Sequence, residues 1–358
     1  MYPDDKHPSY GVFVKRFVEQ ARTSGLHVSL SVMHQSDSML SKLVKYVVFY
    51  FLTFIKAIFR HYDIVYVHYP SYSALPIILA HKFRKNDLYI NVHGSDVLPV
   101  TQGQEKMHRY TAAALSLADR VVVPSEYFLE VVCQKYELNA DRIVVYPSGG
   151  INPEVFHVLP VAQKNAIKAD LGFDSDLITV CFAGRITEGK GWDTYLMAIA
   201  EVLSQGKRLN ALLIGSGDQD AQCEKLIEKL ELTDSVMRMD LQSQERLCEF
   251  YNAADIFAFP GRRRSESLGL VAIEAMACGV PVVASDFAAP KGYIRSGYNG
   301  WLIPPSDYHA LAEIFNKAIS DPSVTSSLRC GALETALHFS GEALMKQFEK
   351  IFSTGCDS

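Results

Sequence analysis

The chain has 358 residues, too many for one ordinary hydrophobic core and enough for two domains of common size. Hydrophobic residues make up 48% and charged residues 21%, a balance that excludes a disordered chain. The formal net charge of -5 argues against a basic nucleic-acid-binding face, so no nucleic acid is expected as a partner.

The opening, Met1-Tyr-Pro-Asp-Asp-Lys-His-Pro8, is polar and carries no signal-peptide pattern. A candidate strand is expected over Val28–Met33. Leu43–Phe59 is nearly all apolar, but it is shorter than the roughly 20 residues that span a bilayer and contains Lys45 and Lys56. Its aromatics (Tyr46, Phe49, Tyr50, Phe54, Phe59), with Lys42 and Arg60 nearby, suit either a helix packed on the core or one lying in a membrane surface. A peripheral membrane contact is therefore one expectation.

Further strands follow at Ile64–His68, Leu88–Val92, Arg120–Val123 and Ile143–Tyr146. They resume at Thr179–Phe182, Ala211–Ile214, Val236–Met239, Ile256–Phe259, Pro281–Ala284 and Trp301–Ile303. Most are rich in Val and Ile without alternation, as strands covered on both faces are. Helix-length stretches lie between them, such as Tyr110–Ala118, Asp193–Leu203, Gln222–Leu230 and Gln244–Ala253. This rhythm predicts an α/β chain with parallel sheets and right-handed crossovers. It breaks at the turn cluster Pro147-Ser148-Gly149-Gly150-Ile151-Asn152-Pro153, which is followed by a polar stretch to about Asp176. Two doubly wound Rossmann-like domains are expected, residues 1–150 and 151–335, facing a cleft. A C-terminal helix and tail, 336–358, is expected to pack back on the first domain. The seven cysteines are dispersed and form no C-x-x-C pair, which reads as reduced core thiols of a cytoplasmic protein.

Two segments carry chemistry. In Thr179-Val-Cys-Phe-Ala-Gly184-Arg185-Ile-Thr-Glu-Gly-Lys190-Gly191, a buried strand ends at a glycine loop holding two cations, a place suited to phosphate oxygens. In Glu266-Ser-Leu268-Gly269-Leu270-Val-Ala-Ile-Glu274, a helix is expected to begin near Gly269, so that amides around Leu268 to Leu270 form an anion site. Glu274 falls inside that helix among apolar residues, where a carboxylate needs hydrogen-bond donors such as sugar hydroxyls.

Competing readings are weaker. Asp174-Ser-Asp176 and Asp218-Gln-Asp220 have the form of a metal-holding acidic triplet, but short acidic triplets are common in loops. Gly215-Ser-Gly217 lacks the third glycine of a dinucleotide fingerprint, because position 220 is Asp220. Neither a metal nor a cofactor is expected.

Together these segments resemble the retaining glycosyltransferases of family four, of the bacterial polysaccharide-biosynthesis type, which have the GT-B fold. Gly184-Arg185…Lys190-Gly191 matches the G-R-x-x-x-x-K-G element. Glu266…Glu274 matches the E-x7-E element and runs on into EAMACGVPVVAS, Glu274 to Ser285. Pro8-Ser-Tyr-Gly11-Val-Phe13 resembles the acceptor-side glycine loop, Asn91-Val-His93-Gly94-Ser95-Asp96 the strand-end histidine motif, and Pro147-Ser148-Gly149 the linker turn.

The resemblance implies that Arg185 and Lys190 hold the donor diphosphate with the amides at Leu268, Gly269 and Leu270. It implies ribose binding by Glu274, and catalytic roles for Glu266 at the transferred sugar and for His93 beside the anomeric centre. The partners would be a nucleotide-sugar donor and a glycan acceptor, lipid-linked, at the inner face of the cell membrane. Two departures stand out. Met1 falls almost directly before Gly11, so the first strand of the N-terminal domain is expected to be missing. The family's usual E-G-F-G reads Glu266-Ser267-Leu268-Gly269, preceded by Arg262-Arg263-Arg264. A non-catalytic partner in a polysaccharide-assembly complex and a nucleotide-sugar epimerase on the same fold are the alternatives.

Overall fold

The computed structural model describes residues 2–3, 11–34, 38–147 and 150–352. Pro8, Ser9 and Tyr10 of the expected glycine loop and Ser148-Gly149 of the expected linker turn lie outside them. The chain divides into two compact units, Met1–Gly149 with Leu344–Ser358, and Gly150–Ala343. The second unit runs past 335 to Ala343 because the backbone of Ile151 is bonded to this segment: its amide donates to the Phe339 carbonyl at 2.8 Å.

In the first unit the order is α1 (Val12–Thr23), α2 (Met39–Phe59), β1 (Ile64–His68), α3 (Pro70–Ser73), α4 (Leu75–His81), β2 (Asp87–Asn91), α5 (Gln102–Leu117), β3 (Arg120–Val123), α6 (Glu126–Tyr136) and β4 (Ile143–Val145). The four strands form a parallel sheet in the order β1-β2-β3-β4. Alternate side chains face opposite sides of a strand, and both faces are covered. Val67, Leu88, Ile90, Val121 and Val123 pack with residues of α2, α4, α5 and α6. Tyr89, Val122 and Tyr146 pack with Phe17 and Ala21 of α1 and with Leu344, Phe348 and Ile351 near the C-terminus.

The expected strand at Val28–Met33 does not form. A strand exists only with a ladder partner, and here side chains hold the segment instead, one of them at a backbone carbonyl. Lys56 Nζ donates to the Leu30 carbonyl at 2.7 Å, the Tyr62 hydroxyl donates to Ser29 Oγ at 3.2 Å, and the Ser31 and Thr53 hydroxyls bond to each other. Leu43–Phe59 lies within α2, which starts earlier, at Met39, because the Ser38 side chain accepts from the Ser41 amide as an N-cap. Among the described residues no helix is long and apolar enough to cross a membrane.

The second unit contains α7 (Val161–Asp170), β5 (Thr179–Ala183), α8 (Trp192–Ser204), β6 (Asn210–Ile214), α9 (Asp220–Lys229), β7 (Val236–Met239), α10 (Gln244–Ala253), β8 (Ile256–Phe259), α11 (Leu270–Ala277), β9 (Val282–Ser285), β10 (Gly300–Ile303), α12 (Tyr308–Ser320) and α13 (Ser323–Leu337). A last helix, α14 (Gly341–Phe352), carries the chain into the first unit. The six strands are parallel in the order β10-β9-β8-β5-β6-β7. The order reverses between β5 and β8. At such a switch point the loops after the two strands part to opposite sides, which opens a crevice at the carboxyl ends. One face is sealed by α7, α10, α11 and α13, the other by α8, α9 and α12.

Candidate functional site

Both chemistry-bearing segments of the second unit leave the sheet at this switch point. The Gly184–Gly191 loop follows β5, and the Pro260–Gly269 loop follows β8. Two glycines allow close backbone contacts here, one between the loops after β5 and β6 and one between the loops after β5 and β8. A Cβ on Gly215, in the loop after β6, would lie 1.8 Å from the Gly184 carbonyl oxygen, and one on Gly191 would lie 2.3 Å from that of Pro260. Only a residue without a side chain permits this backbone approach.

Lys190 and Glu266 then meet, with Nζ 2.6 Å from Oε2 and both side chains largely shielded from solvent. Arg185 is exposed beside them. Arg263 Nε donates to the Glu188 carbonyl at 2.6 Å. Its guanidinium is held below its ordinary pKa by burial first and then by the neighbouring Arg185 charge, which Glu266 and Asp218 partly offset. Arg262 Nη1 donates to both carboxylate oxygens of Asp193, at 3.0 and 3.2 Å. The cluster therefore gathers more positive charge than the two cations singled out in the sequence. Arg263 was visible only as part of an unusual arginine run.

Gly269 is the N-cap of α11, with φ 79°, and the Tyr293 hydroxyl donates to the Leu268 carbonyl at 3.0 Å, fixing the entry to the helix. The amides that open α11 follow the loop after β8, and the first amides of a helix carry partial positive charge. Glu274 lies in the second turn and is 8% exposed. Its charge helps to hold the Tyr251 phenol well above its ordinary pKa, after the larger effect of burial. The fold thus brings Arg185, Lys190, Glu266, the Leu268–Leu270 amides and Glu274 to one end of one sheet.

One carboxylate of each acidic triplet is engaged within the fold. Asp174 Oδ1 accepts the Asp176 amide at 3.0 Å, closing a turn. Asp220 accepts the Gly217 amide and pairs with Arg238 at 2.7 Å. Among the described residues no group of three or more His, Cys, Asp or Glu side chains is arranged to hold an ion.

In the first unit His93 follows β2. The buried Asp96 carboxylate accepts the amides of His93 at 3.0 Å and Gly94 at 2.9 Å, which fixes the loop. Burial pushes Asp96 up to about 6 against the pull of these hydrogen bonds. The His93 ring is enclosed by Phe13 at 4.7 Å and by Tyr69 stacked at 4.5 Å, and its Nε2 lies 3.1 Å from His68 Nδ1. Burial lowers His93 to about 3 and holds His68 well below its ordinary value, so both imidazoles are neutral at physiological pH. Gly11 is buried at the N-cap of α1, two residues before Phe13, so it belongs to the same end of the unit as His93.

His68, Tyr69 and Phe13 were not identified as site residues from the sequence. A signal existed: His68 ends β1 as His93 follows β2, and the parallel register sets His68 opposite Asn91.

Residues 163–332 match the family model of glycosyl transferases group 1, and residues 18–154 that of glycosyltransferase family 4. The D-inositol 3-phosphate glycosyltransferase of Streptomyces bingchenggensis is 32% identical over 235 residues, covering 62% of this chain and 50% of that protein. D-inositol 3-phosphate glycosyltransferase 1 of Catenulispora acidiphila is 29% identical over 295 residues, 78% and 69% of the two chains. The chain spans about half the length of most of the curated relatives it matches. Among solved structures, sucrose-phosphate synthase of Thermosynechococcus elongatus superimposes with a TM-score of 0.77 at 24% identity, over 95% of this chain and 92% of that one. Anabaena Alr3699/HepE in complex with UDP and glucose gives 0.72 at 20% identity, over 88% and 83%. The two parallel-sheet α/β domains are those of the GT-B fold.

Proposed function

We propose that this chain, whose two halves match the models of glycosyltransferase family 4 and of glycosyl transferases group 1 and which has the GT-B fold, moves a sugar from a UDP- or GDP-sugar to a glycan acceptor with retention of anomeric configuration. The acceptor is lipid-linked and the work is done on the cytoplasmic face of the cell membrane, in building a surface polysaccharide. The observation that carries the reading is the meeting of Lys190 and Glu266 at the switch point, beside Arg185 and the start of α11. A cation pair, a helix N-terminus and two carboxylates at one strand end fit a ligand that is a diphosphate at one end and a polyol at the other. The UDP bound by Alr3699/HepE supports a uridine donor.

In the proposed reaction the bond between C1 of the sugar and the diphosphate oxygen breaks, and its electron pair stays on that oxygen. Arg185, Lys190 and the α11 amides lie where this charge develops and stabilise it without a metal. The acceptor hydroxyl attacks C1 on the face the diphosphate leaves and passes its proton to the departing phosphate oxygen. Glu266 orients the sugar hydroxyls, Glu274 accepts from the ribose hydroxyls, and neutral His93 hydrogen-bonds at the transferred sugar. Gly11 keeps the acceptor side open for a close backbone approach.

Nucleoside diphosphate release tests this, assayed with a panel of UDP- and GDP-sugars, lipid-linked and soluble acceptors including inositol 3-phosphate, and EDTA. Acceptor-dependent release that survives EDTA supports the proposal. Sugar conversion without acceptor would establish an epimerase, and restoration only by Mn²⁺ would overturn the metal-free route.

A further inference from the structure

Among the described residues, the outer face of α2 is a contiguous run of exposed apolar side chains. Val47 is 62% exposed and Phe51 63%, with Leu40, Leu43, Val44 and Leu52 along the same helix. Phe83, just after α4, is 75% exposed. The inner face is occupied: Phe54, Ala57 and Ile58 pack on the core of the first unit. Helices of soluble proteins rarely leave this much contiguous apolar surface without a partner.

The charge around this face is as unusual as its apolarity. From Ser38 to Asn86 the sequence holds seven lysines and arginines against one acidic residue, Asp63, in a chain whose net charge is -5. Lys42, Arg60, Lys82 and Lys85 are exposed, while Lys56 and Arg84 are bonded to backbone carbonyls. A second copy seated on this face would set like charges against each other, whereas anionic headgroups neutralise them.

We propose that the outer face of α2, with Phe83, docks in the headgroup region of a bilayer that carries anionic phospholipid. The apolar side chains enter the acyl boundary, and the lysines and Arg60 lie among the phosphates. The inference rests on the lipid-linked acceptor proposed above and adds how the enzyme reaches it. The Tyr50 hydroxyl of α2 donates to the Tyr72 carbonyl of α3 at 2.9 Å, and Tyr69, immediately before α3, stacks on His93. One hydrogen bond, the short helix α3 and one ring stack therefore join the docked helix to His93.

The test is flotation of the full chain with vesicles of phosphatidylcholine alone and of phosphatidylcholine with phosphatidylglycerol in equal parts. The wild type floats with the anionic vesicles and much less with the neutral ones. Val47→Ser/Phe51→Ser and Lys42→Glu/Lys82→Glu/Lys85→Glu each reduce flotation about tenfold or more. All three proteins bind UDP equally, since the changed residues lie outside the donor site, and this keeps failure of docking distinct from failure of the donor reading. The proposal is overturned by wild type that stays at the bottom of the gradient, by equal flotation on both vesicles, or by unaffected variants. Light scattering that shows a dimer, dissolved by Val47→Ser/Phe51→Ser, would assign the face to a second copy and overturn it too.

Discussion

Lys190 Nζ lies 2.6 Å from Glu266 Oε2, joining the loop after β5 to the loop after β8 across 76 residues of sequence. Under the proposed function the lysine would hold the donor diphosphate and the glutamate the transferred sugar, so the ion pair would lie where those two parts of one ligand meet.

That pair gives the first prediction. Glu266→Gln removes the carboxylate that competes with phosphate for Lys190. UDP binding, measured by calorimetry, is expected to hold or tighten, while sugar transfer falls by about 100-fold or more. Lys190→Ala is expected to weaken both. Equal loss of binding in the two variants would contradict the division of roles.

Glu274 is buried at 8% exposure in an apolar helix, where a carboxylate is costly unless it is hydrogen-bonded, and the proposed function gives it the ribose hydroxyls as donors. Glu274→Ala is expected to weaken UDP binding by about 1.5–3 kcal/mol, the range for a hydrogen bond to a charged group. Binding of inorganic pyrophosphate is expected to remain unchanged. A parallel loss for pyrophosphate would place Glu274 elsewhere than at the ribose.

Acid stability follows from the first unit. Burial lowers His93 to about 3, so its contribution is complete above its unfolded pKa and is lost as pH falls toward that value. Asp96 is shifted the other way, up to about 6, so its contribution is complete at low pH and is lost as pH rises through that value. Between their ordinary and shifted values the two oppose each other. In His93→Gln only the Asp96 effect remains of this pair, so the fall in melting temperature from about pH 7 to about pH 4.5 is expected to shrink relative to wild type. An unchanged fall would show that His93 is not held neutral by burial.

Gly215 tests the scaffold rather than the chemistry. A Cβ there would stand 1.8 Å from the Gly184 carbonyl oxygen, and φ is 136°. Gly215→Ala is expected to cost about 3 kcal/mol in urea unfolding, because backbone must move on both sides. A cost within that of ordinary surface changes would mean that the two loops do not close on each other.

The sheets were more legible in the sequence than the site. Strands buried on both faces in a parallel sheet are continuous runs of Val, Ile and Leu, which sequence shows directly, and β1 to β10 fall within a residue or two of the expected segments. Val28–Met33 alternates apolar residues with serine and has no ladder neighbour, and pairing is not written in a segment's own residues. Helix α7 lies in the stretch read only as polar, because a half-exposed helix on a sheet face presents few apolar residues. At the site, local motifs located Arg185, Lys190, Glu266 and Glu274. The enclosure of His93 by Phe13, His68 and Tyr69 depends on the register between β1 and β2 and on how α1 packs, and Arg263 beside Arg185 depends on loop closure. Both are tertiary facts.

The central claim is that the switch point of the second unit holds a nucleoside diphosphate. Calorimetric titration of UDP and GDP into the chain in EDTA tests it most directly, with Arg185→Ala/Lys190→Ala as the control. The account predicts saturable one-site binding of at least one nucleotide by the wild type, and loss of that binding in the double variant. Binding of neither nucleotide by the folded wild type, or undiminished binding by the variant, would contradict it.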